Sequence, residues 1–311
     1  MINLTIAIKT LSPLHCGIGV GMNDIDLPVA KHKVSGHPVI PGSTIKGVLK
    51  EEYLKGKTAL AISDKAAVKA IFGDPDKGNS FASAISIEDG LLVALPVRSY
   101  FGTFGYLASP YTLQQLKKAL VRSGVREGLP ALPAVSGINL EENSYRVLLT
   151  KDSLLEQSGN VLLEEMDLTV GNGSADDWAA CIAEYFCESD EEKEVFIKRF
   201  AVVDDNVLNF LCDTALPVDA RISIDDETGT VKKGALWYEE SVPPEALFMS
   251  VAGMDRSYRN GKDVKSHSDT ELFEVFIGSE SVKELYVQMG GKATTGKGFV
   301  AVRISSGGSH A

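Results

Sequence analysis

The sequence predicts an α+β fold, and three observations carry that prediction. Residues 2 to 9 alternate apolar Ile2, Leu4, Ile6 and Ile8 with Asn3, Thr5 and Lys9, the two-residue period of a half-buried strand. Ile45, Val48, Leu49 and Tyr53 follow helical spacing instead. Strands and helices then succeed one another without the strict strand–helix–strand repeat of a parallel α/β sheet.

The first strand leads into Leu14-His15-Cys16-Gly17-Ile18-Gly19-Val20-Gly21, followed by Asp26-Leu27-Pro28. Glycines at alternate positions let backbone amides approach a phosphate, and His15 and Asp26 flank them with a proton-transfer group and a carboxylate. A dinucleotide fingerprint is excluded. The third glycine comes one residue early, and an acidic segment closed by Pro28 stands where a helix would be needed.

Ser43 is placed to cap the next helix, with Lys46 on its first turn, where a cation works against the helix dipole. Lys46 reads either as a phosphate contact or as a solvated lysine. A short helix is predicted from Asp64 to Ile71, stopped by Gly73 and Pro75. Phe81 to Ile87 and Leu91 to Leu95 read as strands separated by Glu88-Asp89-Gly90. Thr112 and Gln115 predict a capping box for a helix Leu113 to Val121 that ends near Gly124. Pro130 to Ser144, rich in Pro, Gly and Asn, is predicted irregular, and Asp176 to Phe200 helical from Trp178, Cys181, Ile182, Tyr185 and Phe186.

Val218 to Ile224 and Thr230 to Tyr238 read as a hairpin about Asp225-Asp226-Glu227-Thr228-Gly229. Its return strand carries Lys232, Lys233, Trp237 and Tyr238; Trp237 is either core packing or a wedge for a base stack. Near the C-terminus, Gly291 to Lys297 satisfies GxxxxGK, but position 298 is Gly rather than Ser or Thr and the next residues alternate as a strand. The nucleotide-hydrolase match therefore fails. A glycine-rich loop between two strands, presenting amides and Lys297 to an RNA backbone, fits the same residues. The tail from Ser305 to Ala311 is predicted to have little structure.

The net charge of −11 argues against a nucleic-acid binder until its distribution is considered. Residues 151 to 220 hold a balance of −13, leaving +2 for the rest, so a basic groove elsewhere stays open. No apolar run reaches membrane-spanning length, and a strand begins directly after Met1; a cytoplasmic protein is expected. Cys16, Cys181, Cys187 and Cys212 lack paired spacing and are expected to be buried thiols.

Taken together, His15 to Gly21, Asp26-Leu27-Pro28, Ile40-Pro41-Gly42-Ser43 with Lys46-Gly47, and Gly290-Gly291 with Gly296-Lys297-Gly298 resemble the RAMP superfamily of CRISPR effectors. Phe72-Gly73-Asp74, Pro96-Val97-Arg98-Ser99 and Gly234 to Glu240 are similar, within it, to backbone ribonuclease subunits of type III-B (Cmr) complexes. The resemblance runs in order from residue 4 to about residue 304, with little from 125 to 215. It implies a single RAMP domain on a ferredoxin-like, RRM-type core, an acidic helical insertion at 151–215 and a projecting thumb hairpin within 216–246.

The resemblance also implies an endoribonuclease that binds CRISPR guide RNA and cuts complementary single-stranded target RNA at regular intervals, in antiviral defence. Its expected partners are other Cmr subunits and neighbouring copies of itself, head to tail, with no membrane. Asp26 matches the cleaving aspartate and His15 a histidine of the same region; Glu239 or Glu240 is the candidate helper from the thumb. Gly17, Gly19, Ser43, Lys46, Arg98, Trp237, Gly290, Gly291, Thr295, Gly296 and Lys297 are the candidate RNA contacts. A divalent metal, Mg or Mn, is expected at Asp26, with waters, phosphate oxygens and a thumb carboxylate such as Glu239 or Glu240 completing its shell. Without the resemblance, Asp26 reads equally as a turn residue and His15 as a packed one. A scaffold that only holds guide RNA and an enzyme that processes guide transcripts are the competing readings.

Overall fold

The alternating residues after Met1 form β1 (Ile2–Thr10), the strand around which the sheet is ordered. A computed structural model describes residues 1–17, 19, 21, 25–55, 65–74, 80–125, 127–135, 145–258, 267–278 and 282–306. After β1 come β2 (Val39–Ile40), α1 (Gly42–Lys55), α2 (Lys65–Phe72), β3 (Ile85–Ile87), β4 (Gly90–Arg98), β5 (Phe104–Ala108) and α3 (Pro110–Ser123). The middle of the chain supplies β6 (Tyr145–Leu149), β7 (Asn160–Leu163), β8 (Met166–Val170), α4 (Asp176–Phe186), α5 (Asp190–Ile197), β9 (Phe200–Val203) and α6 (Asp205–Thr214). The last third holds β10 (Val218–Ile224), β11 (Val231–Glu240), β12 (Leu247–Met254), α7 (Asp269–Ile277), β13 (Val282–Gln288) and β14 (Phe299–Ser306).

Among the described residues one sheet of 12 strands runs β13-β14-β1-β12-β4-β5-β9-β6-β8-β7, with β2 beside β4 and β3 beside β12. From β13 to β5 every neighbouring pair is antiparallel; β5 with β9 and β6 with β8 are parallel. β10 and β11 pair only with each other and form a separate two-stranded ribbon.

Alternation along the strands divides the interior into two layers, one on each face of the sheet. Leu4, Ile6, Ile8, Leu92, Phe248 and Ala252 pack with α1, α2, α6 and α7 through residues such as Ile45, Leu49, Val68, Leu208 and Phe276. Ala7, Val93, Leu247, Met249 and Val251 face α3, α4 and α5 through Leu113, Leu116, Trp178, Ile182 and Phe196. Burial on both faces explains why β12, apart from Ser250 whose hydroxyl donates to the Glu88 carbonyl, is apolar rather than alternating.

Several local expectations are corrected. α1 starts at Gly42, so Ser43 lies in its first turn rather than capping it; the Pro41 carbonyl accepts from the Thr44 and Ile45 amides. Glycine is required at 42 because a Cβ there would stand 2.5 Å from the Ile87 carbonyl oxygen. The capping box of α3 uses Ser109 and Thr112, not Thr112 and Gln115, since Pro110 opens the helix. The long helix expected over 176–200 is two, because Ser189 caps α5 afresh by accepting from the Glu192 amide at 3.1 Å. β3 and β4 pair with successive parts of β12, and β6, β7 and β8 arise where no strand was read. Asp64, Pro75, residues 136–144 and the tail from 307 lie outside the described residues.

The aromatic knot between α1 and α7 is the tightest test of this packing. Tyr53 stacks on Phe276 at 5.0 Å with an interplanar angle of 11°, and Phe72 meets Phe276 at 6.2 Å edge-on. Phe276→Ala is expected to cost about 3–5 kcal/mol in chemical denaturation, the range for deleting a fully buried aromatic.

Candidate active site

Four segments converge beyond the C-terminal end of β1, and main-chain hydrogen bonds hold them together. Leu14 exchanges two backbone bonds of 2.8 Å with Val242, just after β11. The Ala30 amide donates to the Cys16 carbonyl, the Leu27 amide to that of Tyr238 at 3.1 Å, and the Glu240 amide to that of Leu27 at 3.0 Å. From the β13–β14 loop, the Gly291 amide donates to His15 at 2.9 Å and the Gly298 amide to Pro13 at 2.8 Å. Glycine permits this approach: Gly290 has φ +73°, and a Cβ on it would lie 2.5 Å from the His15 oxygen.

Asp26 is exposed at the centre of this convergence, and its Oδ2 accepts the Tyr238 amide at 2.8 Å. His15 is 6% exposed, with Nδ1 2.8 Å from the Glu240 carbonyl oxygen. A carbonyl can only accept, so Nδ1 carries the proton and Nε2 is the basic nitrogen. A Cβ on Gly17 would stand 2.7 Å from that Nε2, so the glycine backbone lies across the ring. Gly19 is exposed at φ +74°; Ile18, Val20 and Met22 to Asp24 lie outside the described residues.

Glu239 and Glu240 are both buried, on opposite faces of the end of β11. Glu240 Oε2 accepts the Val29 amide at 3.0 Å and its Oε1 is 3.5 Å from Lys31 Nζ, which fixes the segment after Asp26. Glu239 Oε1 accepts from Trp237 Nε1 at 2.7 Å and from Lys292 Nζ at 2.6 Å, while Arg221 and Lys297 stand 3.7 and 3.9 Å from Oε2. Burial alone would raise the Glu239 carboxyl; the Lys292 and Trp237 hydrogen bonds with the Lys292 and Lys297 charges outweigh it and hold it below the usual range. Lys297 is itself buried and bonded to Asp219 at 2.9 Å. Gly290, Gly291, Thr295 and Gly296 are exposed on the loop around it.

Trp237 is half-buried at the foot of the ribbon, and Tyr238 beside it is exposed. Cys16 is buried and its thiol is pushed up to about 12 by burial, which disarms it as a nucleophile. Ser43 and Lys46 stand at the other end of β1, on a cleft of about 400 Å³ with Ser83, Ser86 and Asp255. The nine residues of β1 separate them from Asp26 by about 25 Å at roughly 3.3 Å per residue. Lys46 Nζ donates to Ser83 there at 2.6 Å. Arg98 is exposed at the end of β4, outside the convergence.

Asp219, Arg221, Lys292 and Lys31 belong to the site's support and were not singled out in the sequence. The alternation of β10 carries a signal for two of them, since Asp219 and Arg221 share the ribbon face of Glu239 and Trp237. Among the described residues no group of three or more His, Cys, Asp or Glu gathers to hold a metal. The donor set fits only an ion bound through the single Asp26 carboxylate and completed by water and substrate oxygens.

With this geometry in place, comparison with known proteins is informative. The sequence pattern of the RAMP superfamily matches residues 7–301. The chain is 32% identical to the CRISPR system Cmr endoribonuclease Cmr4 of Pyrococcus furiosus, over 98% of each chain. It is 26% identical to the CMR subunit Cmr4 of Saccharolobus solfataricus, over 95% of this chain and 94% of that one. The fold matches that of oligomeric Cmr4 from Pyrococcus furiosus with a TM-score of 0.71 at 24% identity, covering 99% of both chains. It also matches a chain of the type III-B Cmr-beta complex bound to cognate target RNA, with a TM-score of 0.69 at 22% identity over 98% and 97%.

The electrostatics of Glu239 yield a pH test. Its folded-state carboxyl titrates below its ordinary 4.5, so its contribution to stability is present above that value and lost as pH falls through the lower folded one. Glu239→Gln is expected to shallow the acid limb of a stability–pH curve below about pH 4.5, measured by chemical denaturation.

Proposed function

The chain belongs to the RAMP superfamily and, within it, to the Cmr4 family; from that membership we propose an RNA-guided endoribonuclease that forms the backbone of a type III-B effector complex. It binds CRISPR guide RNA and cuts complementary target RNA. The observation that carries this reading is Asp26, an exposed carboxylate anchored by the Tyr238 amide between two glycine-rich loops and the foot of the ribbon.

The ribbon serves as the thumb. Val218, Ile222, Ile224, Val231, Leu236 and Tyr238 are exposed along it, an apolar surface suited to lie against bases or a neighbouring copy. The strand order β14-β1-β12-β4, with all neighbours antiparallel and helices between β1 and β4 and between β12 and β14, supports a ferredoxin-like core. Repetition of one heterologous contact builds an open filament of copies along the guide. Base pairing then reads the sequence while the protein holds the backbone.

Cutting needs little beyond orientation. The target's 2′-hydroxyl attacks the adjacent phosphorus, the 5′-oxygen leaves, and a cyclic phosphate remains. Asp26 is the group placed to take the hydroxyl proton. His15, behind the loop, holds its shape through the Glu240 carbonyl and keeps Nε2 directed at Gly17. Glu239 and Glu240 act by fixing the thumb's foot and the segment after Asp26. A magnesium or manganese ion would be held by Asp26, and when bound it supplies charge neutralisation at the phosphate. Gly17, Gly19, Gly290, Gly291, Thr295 and Gly296 offer backbone and hydroxyl donors to RNA phosphates; Ser43 and Lys46 offer a second phosphate site at the other end of β1, Arg98 an exposed cation at the end of β4, and Trp237 a stacking face.

Among the described residues no helix is long and apolar enough to cross a membrane, and a cytoplasmic site of action fits an effector that meets RNA there. In the reconstituted complex, wild type is expected to cut guide-complementary RNA into regularly spaced products. Asp26→Asn should bind that RNA and leave it intact; equal cutting by both proteins would contradict the role of Asp26. Chelation of divalent cations should stop cutting without releasing the guide, and unchanged cutting in chelator would remove the metal.

A further inference from the structure

Asp219, Arg221 and Glu239 on the ribbon and Lys292 and Lys297 on the β13–β14 loop form one charged cluster. Lys297 is its most buried cation. Its side chain is 4% exposed, with Nζ 2.9 Å from Asp219 and 3.9 Å from Glu239. Asp219 and Glu239 face each other across the ribbon, so one ammonium reaches both of its strands. The residue next to Glu239 is Tyr238, whose amide holds Asp26.

A lysine on a glycine-rich loop is the residue type expected to meet an RNA phosphate, yet a phosphate reaches this one only by displacing Asp219. We propose that Lys297 is a positioning residue for target cutting: through Asp219 and Glu239 it fixes the thumb's foot against the loop, and so fixes the backbone that presents Asp26. This rests on the reading of the chain as a target-cutting subunit. Lys292, with a side chain 32% exposed and its ammonium on Glu239, is the lysine of the cluster with access to solvent and hence to RNA, as Arg221 is on the ribbon at 39%. The two lysines thus divide the tasks of the loop, the buried one setting geometry and the accessible one meeting phosphate.

The test uses the assembled complex and scores cutting per complex, which separates position from folding yield. Lys297→Met is expected to slow target cutting by about ten- to a hundredfold, the scale of a small misplacement of a reacting group. Guide affinity and its salt dependence should stay at wild-type values, and Lys297→Arg, which still reaches Asp219, should restore most of the rate. Lys297→Met combined with Asp219→Asn should cut no more slowly than the slower single variant, because both remove one interaction. A phosphate contact predicts otherwise: weaker guide binding, a salt slope lower by about 0.7 per lost contact, and additive effects of the two substitutions. That result, or wild-type cutting by Lys297→Met, overturns the proposal. Absence of cutting by the wild-type complex instead overturns the functional reading beneath it.

Discussion

The pairing of residues 27 to 30 with the end of β11 is the interaction on which the rest of the site depends. Asp26 belongs to a loop with no helix or regular strand of its own, so its position is borrowed from the ribbon. Leu27 bonds Tyr238 and Glu240 through the main chain, Glu240 returns a side-chain bond to Val29, and Tyr238 supplies the amide that anchors the Asp26 carboxylate. Backbone groups removed from water must find partners, and here they find them between segments more than 200 residues apart. A chain joined this way cannot move its thumb without moving its aspartate.

Charge burial at the foot of the ribbon follows from the same constraint. Glu239 and Lys297 are held out of water, which is costly for isolated ions and tolerable only because each has several opposite charges within 4 Å. Replacing the cluster with apolar residues would suit stability at least as well, so its retention is better understood as specifying one orientation of the ribbon against the loop. The ribbon itself touches the main sheet through no strand pairing, which makes this foot its principal constraint among the described residues. Of the acidic residues 151 to 220, β7 and β8 lie at the opposite edge of the sheet from β13, whereas α4, α5 and the turn between them pack beside β1, β13 and β14, where Glu188 accepts from Tyr286 and Glu192 pairs with Lys9.

Much of this was legible in the sequence, and for identifiable reasons. α1 and the β10–β11 ribbon were readable because each has one exposed face and therefore a clear period, and β1 because small or polar Asn3, Thr5, Ala7 and Lys9 alternate with large apolar residues although both of its faces are covered. β12 and the strands from β6 to β8 were not, because burial on both faces, or a length of only four or five residues, erases that period. His15, Asp26, Glu239 and Glu240 were each chosen for residue type and motif, and the structure gathers all four beside the Gly290 loop. The buried state of Lys297 was invisible, since a lysine between glycines gives no sign of a carboxylate 78 residues earlier in the chain. Ser43 and Lys46 show the converse: a motif close in sequence to the first loop is carried by β2 and α1 to the opposite end of the sheet.

The central claim is that the aspartate segment and the thumb's foot are one mechanical unit, and native-state amide hydrogen exchange tests it most directly. The amides of Leu27, Val29, Tyr238 and Glu240 should open with a single common free energy, as members of one cooperative unit do. Free exchange at Leu27 and Val29 while Tyr238 and Glu240 stay protected would show that the loop moves on its own, and would contradict the account.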